Sequence, residues 1–116
     1  KYECFVDRNT RLPMMFMDDA IRATLELMDA PLDSLNYHSN YNLSSMSFSA
    51  EELEKEISAH VDFNCLYKPD YRQDIADTWP ISINDDDARK DWGWEPKFDI
   101  SKMTEEMITN LRRLNE

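Results

Sequence analysis

An unbroken apolar run, Leu12-Pro13-Met14-Met15-Phe16-Met17, passes directly into Asp18-Asp19-Ala20 and a helical repeat. A continuous run of this kind suits a strand covered on both faces. Asp18 or Asp19 then offers a carboxylate to the free N–H groups of a helix start. Ile21, Leu25 and Met28 recur at i, i+4 and i+7, which predicts a buried stripe. Arg22 and Glu26 fall on the opposite side at ion-pair spacing, and Pro31 follows where the helix should have stopped. Both elements carry apolar faces, so the unit folds only where other layers cover it.

The remaining segments supply part of that cover. Tyr2–Val6 reads as a strand, and the polar stretch Asp7-Arg8-Asn9-Thr10 as a turn into the apolar run. Tyr41-Asn42-Leu43 is a short strand candidate. Ser49-Ala50-Glu51-Glu52 is a capping box with Phe48 and Leu53 placed for a hydrophobic staple, which predicts a helix from Ser49 to about His60. Asp62–Lys68 gives another strand, closed by Pro69. Tyr71–Pro80 has no clean period and reads as a loop with at most a helical turn at Asp74–Asp77; irregular aromatic and charged segments are where sites tend to sit. An Asx cap within Asn84-Asp85-Asp86-Asp87 opens a short helix, Asp86–Trp92, with Gly93 expected in the left-handed position after it. A last helix begins near Ser101 with Met103, Met107, Ile108, Leu111 and Leu114 as its apolar stripe. The order β, β, α, β, α, β, loop, α, α is a mixed α/β or α+β pattern without repeats.

Composition narrows the chemistry. The chain has 116 residues, with 24 acidic and 13 basic side chains and a net charge of −11. This argues against a nucleic-acid or anionic-membrane surface, which needs clustered Lys and Arg. No run approaches the length of a membrane span. Gly93 is the one glycine, so a phosphate-cradling loop, which needs several, has no place in these residues. Cys4 and Cys65 lack ligand spacing, and His38 and His60 stand alone, so no metal is expected and the thiols read as reduced and intracellular. Asp85-Asp86-Asp87 reads as helix-start chemistry, since three adjacent acids cannot face one ion. No nucleophile–base pair, spaced carboxylate dyad or Tyr-x-x-x-Lys is present, so no residue of this chain is assigned as catalytic. The chain opens Lys-Tyr-Glu within a strand pattern, which reads as a piece of something longer.

Three segments, in order, resemble the C-terminal part of the extended short-chain dehydrogenase/reductase superfamily, which includes nucleotide-sugar epimerases and dehydratases. These are the apolar strand with Asp-Asp-Ala and its helix (Met15–Leu27), Tyr41-Asn42-Leu43 with the Ser49–Ile57 helix, and Asp87-Ala88-Arg89-Lys90-Asp91-Trp92-Gly93-Trp94-x-Pro96. Ser45-Met46-Ser47-Phe48 and Tyr71-Arg72-Gln73-x-Ile75-Ala76-Asp77-Thr78-Trp79-Pro80 resemble the L-threonine 3-dehydrogenase branch. The resemblance covers about Thr10 to Ile108.

The resemblance implies residues 1–116 as one partial domain, the substrate-binding region of an extended Rossmann-fold enzyme. The NAD-binding Rossmann domain, with its glycine-rich turn and Tyr-x-x-x-Lys, would lie outside the chain. It implies oxidation of L-threonine to 2-amino-3-ketobutyrate with NAD as hydride acceptor, and a parent homodimer in the bacterial cytoplasm or the mitochondrion. By the same resemblance, Tyr41–Leu43 adds a strand to the Rossmann sheet, Trp79 covers the substrate and Arg72 orients an anionic group. The residue-level alternatives are a packing role for Trp79 and a surface pair of Arg72 with Asp70 or Asp74. At the level of function, the alternatives are the end of a nucleotide-sugar epimerase or dehydratase, and an acidic interaction module without chemistry. Without a Rossmann layer, the apolar strand and the junction helices should present uncovered apolar patches, favouring self-association or cover by another chain.

Overall fold

The computed structural model describes residues 1–115. Strand β1 (Tyr2–Cys4) lies parallel to β4 (Cys65–Tyr67), with Tyr2 opposite Cys65 and Cys4 opposite Tyr67. Strand β2 (Arg11–Met14) lies antiparallel to β3 (Met46–Ser49), pairing Leu12 with Phe48. Five helices surround these two ribbons: α1 (Met17–Asp29), α2 (Ala50–Ser58), α3 (Tyr71–Ala76), α4 (Asp86–Trp92) and α5 (Ile100–Leu114). The mixed α/β character expected from the sequence is present.

Local chemistry decides where several elements start and stop. The Ser49 hydroxyl accepts from Glu52 N at 3.2 Å while Ser49 N donates to the Glu52 carboxylate at 2.9 Å, the reciprocal pair of a capping box. Asn84 Oδ1 accepts from Asp86 N at 2.9 Å, and α4 ends at Gly93 with φ +74°, a conformation open to a residue without Cβ. Asp99 caps α5 by accepting from Lys102 N at 2.8 Å.

Several expectations need correction. Helix α1 begins at Met17, after an uncapped Phe16, so neither Asp18 nor Asp19 caps it. Asp19 is 1% exposed and accepts instead from Lys97 N and Phe98 N, at 3.1 and 3.0 Å, tying the approach to α5 onto α1. The apolar run does not form one double-covered strand; pairing stops at Met14, whose side chain is exposed. Tyr41–Leu43 forms no strand and pairs with neither ribbon among the described residues. Met46–Ser49 is the strand that the apolar pattern did not single out, set in register by its partner β2.

Helix α1 also faces the other way. Ala23 and Asp19 turn inward against Trp94, while Ile21, Leu25 and Met28 point out, Met28 being 75% exposed. The core proper is small: Ala23, Ala88 and Trp94, flanked by Met15, Tyr41, Leu43 and Trp92. The stripes of α2 and α5 are likewise only partly closed and line, with β2 and β3, an apolar groove of about 620 Å³. The body is a slab 18 Å thick in its shortest direction. Its accessible surface is 8298 Å², against about 6,600 Å² for a compact protein of this mass. The uncovered apolar faces expected from the sequence are those of Ile21, Leu25 and Met28 on α1 and Met107, Leu111 and Leu114 on α5.

One polar hub orders the Asn36–Tyr41 segment. The Asp91 carboxylate accepts from Tyr41 Oη at 2.5 Å and from Asn36 N and Nδ2 at 3.1 and 2.8 Å. The Tyr41 hydroxyl, then the Asn36 amide, hold the Asp91 carboxyl below the usual Asp range. A depressed folded-state value stabilises the fold above the unfolded value of about 3.9, and the contribution is lost as pH falls through the folded value. Asp91→Asn is therefore expected to lower Tm at pH 7, with the gap to the unaltered protein closing as pH falls below about 4. A gap that stays constant across thermal melts in that range would contradict this role.

Candidate functional site

The segment from Asp70 to Ile81 is the part of the chain whose chemistry is aimed outward. Asp70 N-caps α3, accepting from Arg72 N at 2.9 Å, so the first half of the stretch read as a loop is a helix. The signal was missed because a six-residue helix is too short to show a period. After α3 the backbone keeps turning: Thr78 N and Trp79 N donate to Ile75 O and Ala76 O, both at 3.1 Å. The Ser47 hydroxyl then donates to Ile81 O at 2.6 Å and fastens the far end to β3.

The segment is exposed along most of its length, with Gln73 and Ala76 its half-buried residues. Two of its polar side chains reach back to the body. Gln73 Oε1 accepts from Asp7 N at 2.6 Å, and Arg72 stacks its guanidinium 3.5 Å from the centre of the Phe5 ring. Tyr71, Ile75, Trp79 and Ile81 are all exposed, Trp79 at 59%. A row of large apolar side chains turned to the outside marks a surface shaped for something beyond the chain.

Of the two residues singled out in the sequence, Trp79 stands on this outer side, and its indole lines none of the chain's principal cavities among the described residues. Arg72 is bound through Nε and Nη2 to the Asp70 carboxylate, at 3.0 and 2.6 Å. Its guanidinium holds the Asp70 carboxyl below the usual range. Both belong to one short segment, but Arg72 faces the base and Trp79 the open side.

Other candidate chemistries resolve into structure. Asp85 accepts from Ser44 N at 3.2 Å and Arg89 Nε at 2.8 Å, and Asp86 N donates to Asn84 Oδ1, so Asp85 and Asn84 are held in local bonding at the start of α4. Among the described residues there is no group of three or more His, Cys, Asp or Glu arranged for a metal. No described helix is long and apolar enough to cross a membrane. Trp92 Nε1 is buried with no acceptor among the described residues.

No protein-family model matches the chain. It is 47% identical over 110 residues to the mitochondrial L-threonine 3-dehydrogenase of Bos taurus, a match covering 93% of this chain and 29% of that protein. A solved apo structure of a monomeric L-threonine 3-dehydrogenase from a metagenome is 99% identical, superposing with TM-score 0.93 over 99% of this chain and 37% of its own. UDP-glucose 4-epimerase from Thermotoga maritima shares the fold, with TM-score 0.76 at 22% identity over 100% of this chain and 36% of its own. The chain thus spans about a third of the length of these proteins.

Proposed function

The chain is homologous to the C-terminal part of L-threonine 3-dehydrogenases of the extended short-chain dehydrogenase, or epimerase/dehydratase, family, and on that premise we propose that it forms the substrate-facing end of an NAD-dependent enzyme oxidising L-threonine. The activity belongs to the longer polypeptide, in which residues 1–116 are one partial domain. The observation that carries the role is the outward row of Tyr71, Ile75, Trp79 and Ile81 on a segment fixed at both ends. Trp79 closes over the substrate and excludes water from it. Arg72 keeps its pair with Asp70 at the base of the segment, away from the indole.

NAD does not fit the described residues. Gly93, the one glycine, ends α4 on the surface and opens no phosphate cradle. The cofactor is assigned to a Rossmann domain elsewhere in the polypeptide. That domain also supplies the sheet edge for Tyr41–Leu43 and cover for the outer face of α1. The 99%-identical relative is described as monomeric, which favours cover from the same polypeptide over the homodimer that the family resemblance implies. An intracellular setting, bacterial cytoplasm or mitochondrion, fits this chemistry.

The test uses the full-length metagenomic relative. Trp79→Ala is expected to lower kcat/KM for L-threonine roughly 30-fold with NAD affinity unchanged. Unchanged kcat/KM, or turnover of a nucleotide sugar in place of threonine, would remove the reading.

A further inference from the structure

Among side chains given no role so far, Gln73 has the most connections. Its amide spans two parts of the fold that lie far apart in sequence. Oε1 accepts from Asp7 N at 2.6 Å and from Thr10 Oγ1 at 3.1 Å. Nε2 donates to Asp77 Oδ1 at 2.7 Å and lies 3.0 Å from Thr10 Oγ1. These partners settle which way the amide points: a main-chain N–H needs the oxygen, and a carboxylate needs the nitrogen.

The turn on the far side of this amide is anchored. Arg8 O and Thr10 O accept from Glu51 N and Ala50 N at 3.0 and 3.2 Å, so Asp7–Thr10 is seated on the start of α2. On the near side, Asp77 is held to Gln73 twice, through its side chain and through Asp77 N to Gln73 O at 2.9 Å. Two residues on stands Trp79. Helix α3 turns its large apolar residues outward, so little apolar burial fixes its position. Polar tethers do so instead: Ser47 holds the Ile81 end, and Gln73 joins the helix and Asp77 to the Asp7–Thr10 turn.

We propose that Gln73 is the positioning residue for Trp79, setting the height and angle of the indole over the substrate through Asp77 on one side and the Asp7–Thr10 turn on the other. The inference rests on the reading that Trp79 covers the substrate, and goes beyond it by naming what places the cover. Gln73 itself touches no reacting atom in this scheme. Losing it lets the indole shift by a fraction of its own width, and displacements of about 1 Å are costly at a closed site.

The test is a double-substitution cycle in the full-length metagenomic relative. Gln73→Met keeps the side chain's length and removes all its hydrogen bonds. It is expected to raise KM for L-threonine roughly tenfold with kcat within about twofold and NAD affinity unchanged. In a Trp79→Ala background the same change should add less than about twofold, because its route to the substrate is already gone. Full multiplicative effects would overturn the inference while leaving the role of Trp79 intact. An inert Trp79→Ala would instead remove the cover itself, and the inference with it. Should Gln73→Met fail to fold, seen as lost NAD affinity, Thr10→Val removes one partner without touching α3. It is expected to raise KM about threefold in the same coupled manner, and an unchanged KM in that folded variant would overturn the proposal.

Discussion

Trp94→Ala is expected to destabilise the fold by about 4 kcal/mol, the largest single loss available in this chain. Trp94 is 1% exposed and, among the described residues, is the large side chain of a buried cluster completed by Ala23 and Ala88. Its Nε1 donates to Ser44 O at 3.0 Å, and the Arg22 guanidinium lies 4.7 Å from the ring centre. Removing it opens a void between α1 and α4 and strands a carbonyl acceptor, and a slab this thin has few other side chains to move in. Trp94→Phe, which keeps most of the packing and loses the N–H, is expected to cost about 1.5 kcal/mol. Urea unfolding of both variants checks the ordering. A loss under about 1 kcal/mol for the alanine variant would mean that the core lies elsewhere.

Asp19→Asn is expected to cost about 3 kcal/mol although it changes the side chain by one atom. The carboxylate offers two acceptors. Lys97 N and Phe98 N use them at 3.0 to 3.1 Å, with Arg22 Nη2 also at 3.1 Å. An amide has one acceptor, so either rotamer sets an N–H against an N–H in a site closed to water. Arg22 keeps Glu26 and Glu95 O, both at 2.6 Å, so the loss falls on the main chain before α5. Two measurements check it: the urea midpoint, and amide hydrogen exchange, which should quicken at Lys97 and Phe98. Asp18→Asn, on an exposed neighbour, is the control and should stay within about 0.5 kcal/mol. Equal effects from the two substitutions would show that the inward placement of Asp19 does not matter.

The contrast between these aspartates shows how far local pattern reaches. Either could have capped α1, and neither does; a contact 78 residues away claims Asp19. The same limit hides Gln73, whose partners Asp7 and Thr10 lie 66 and 63 residues away and leave no periodic trace. Trp79 was legible as an aromatic residue in an aperiodic stretch. The bond between Arg72 and Asp70, two residues apart, was legible as well.

What the sequence settled alone was short-range chemistry. The Ser49–Glu52 box and the left-handed Gly93 each need only a few neighbouring residues, and each stands where the sequence put it. The homology to the end of a longer dehydrogenase was likewise written in its motifs. Tertiary structure alone decided which way α1 would face. Its apolar stripe and its Ala23–Arg22 side were both fit for burial, and the choice went to the side that Trp94 and the Lys97–Phe98 amides could satisfy. The Ile21–Leu25–Met28 stripe was left outside, because periodicity shows that a face is apolar but not which surface will meet it.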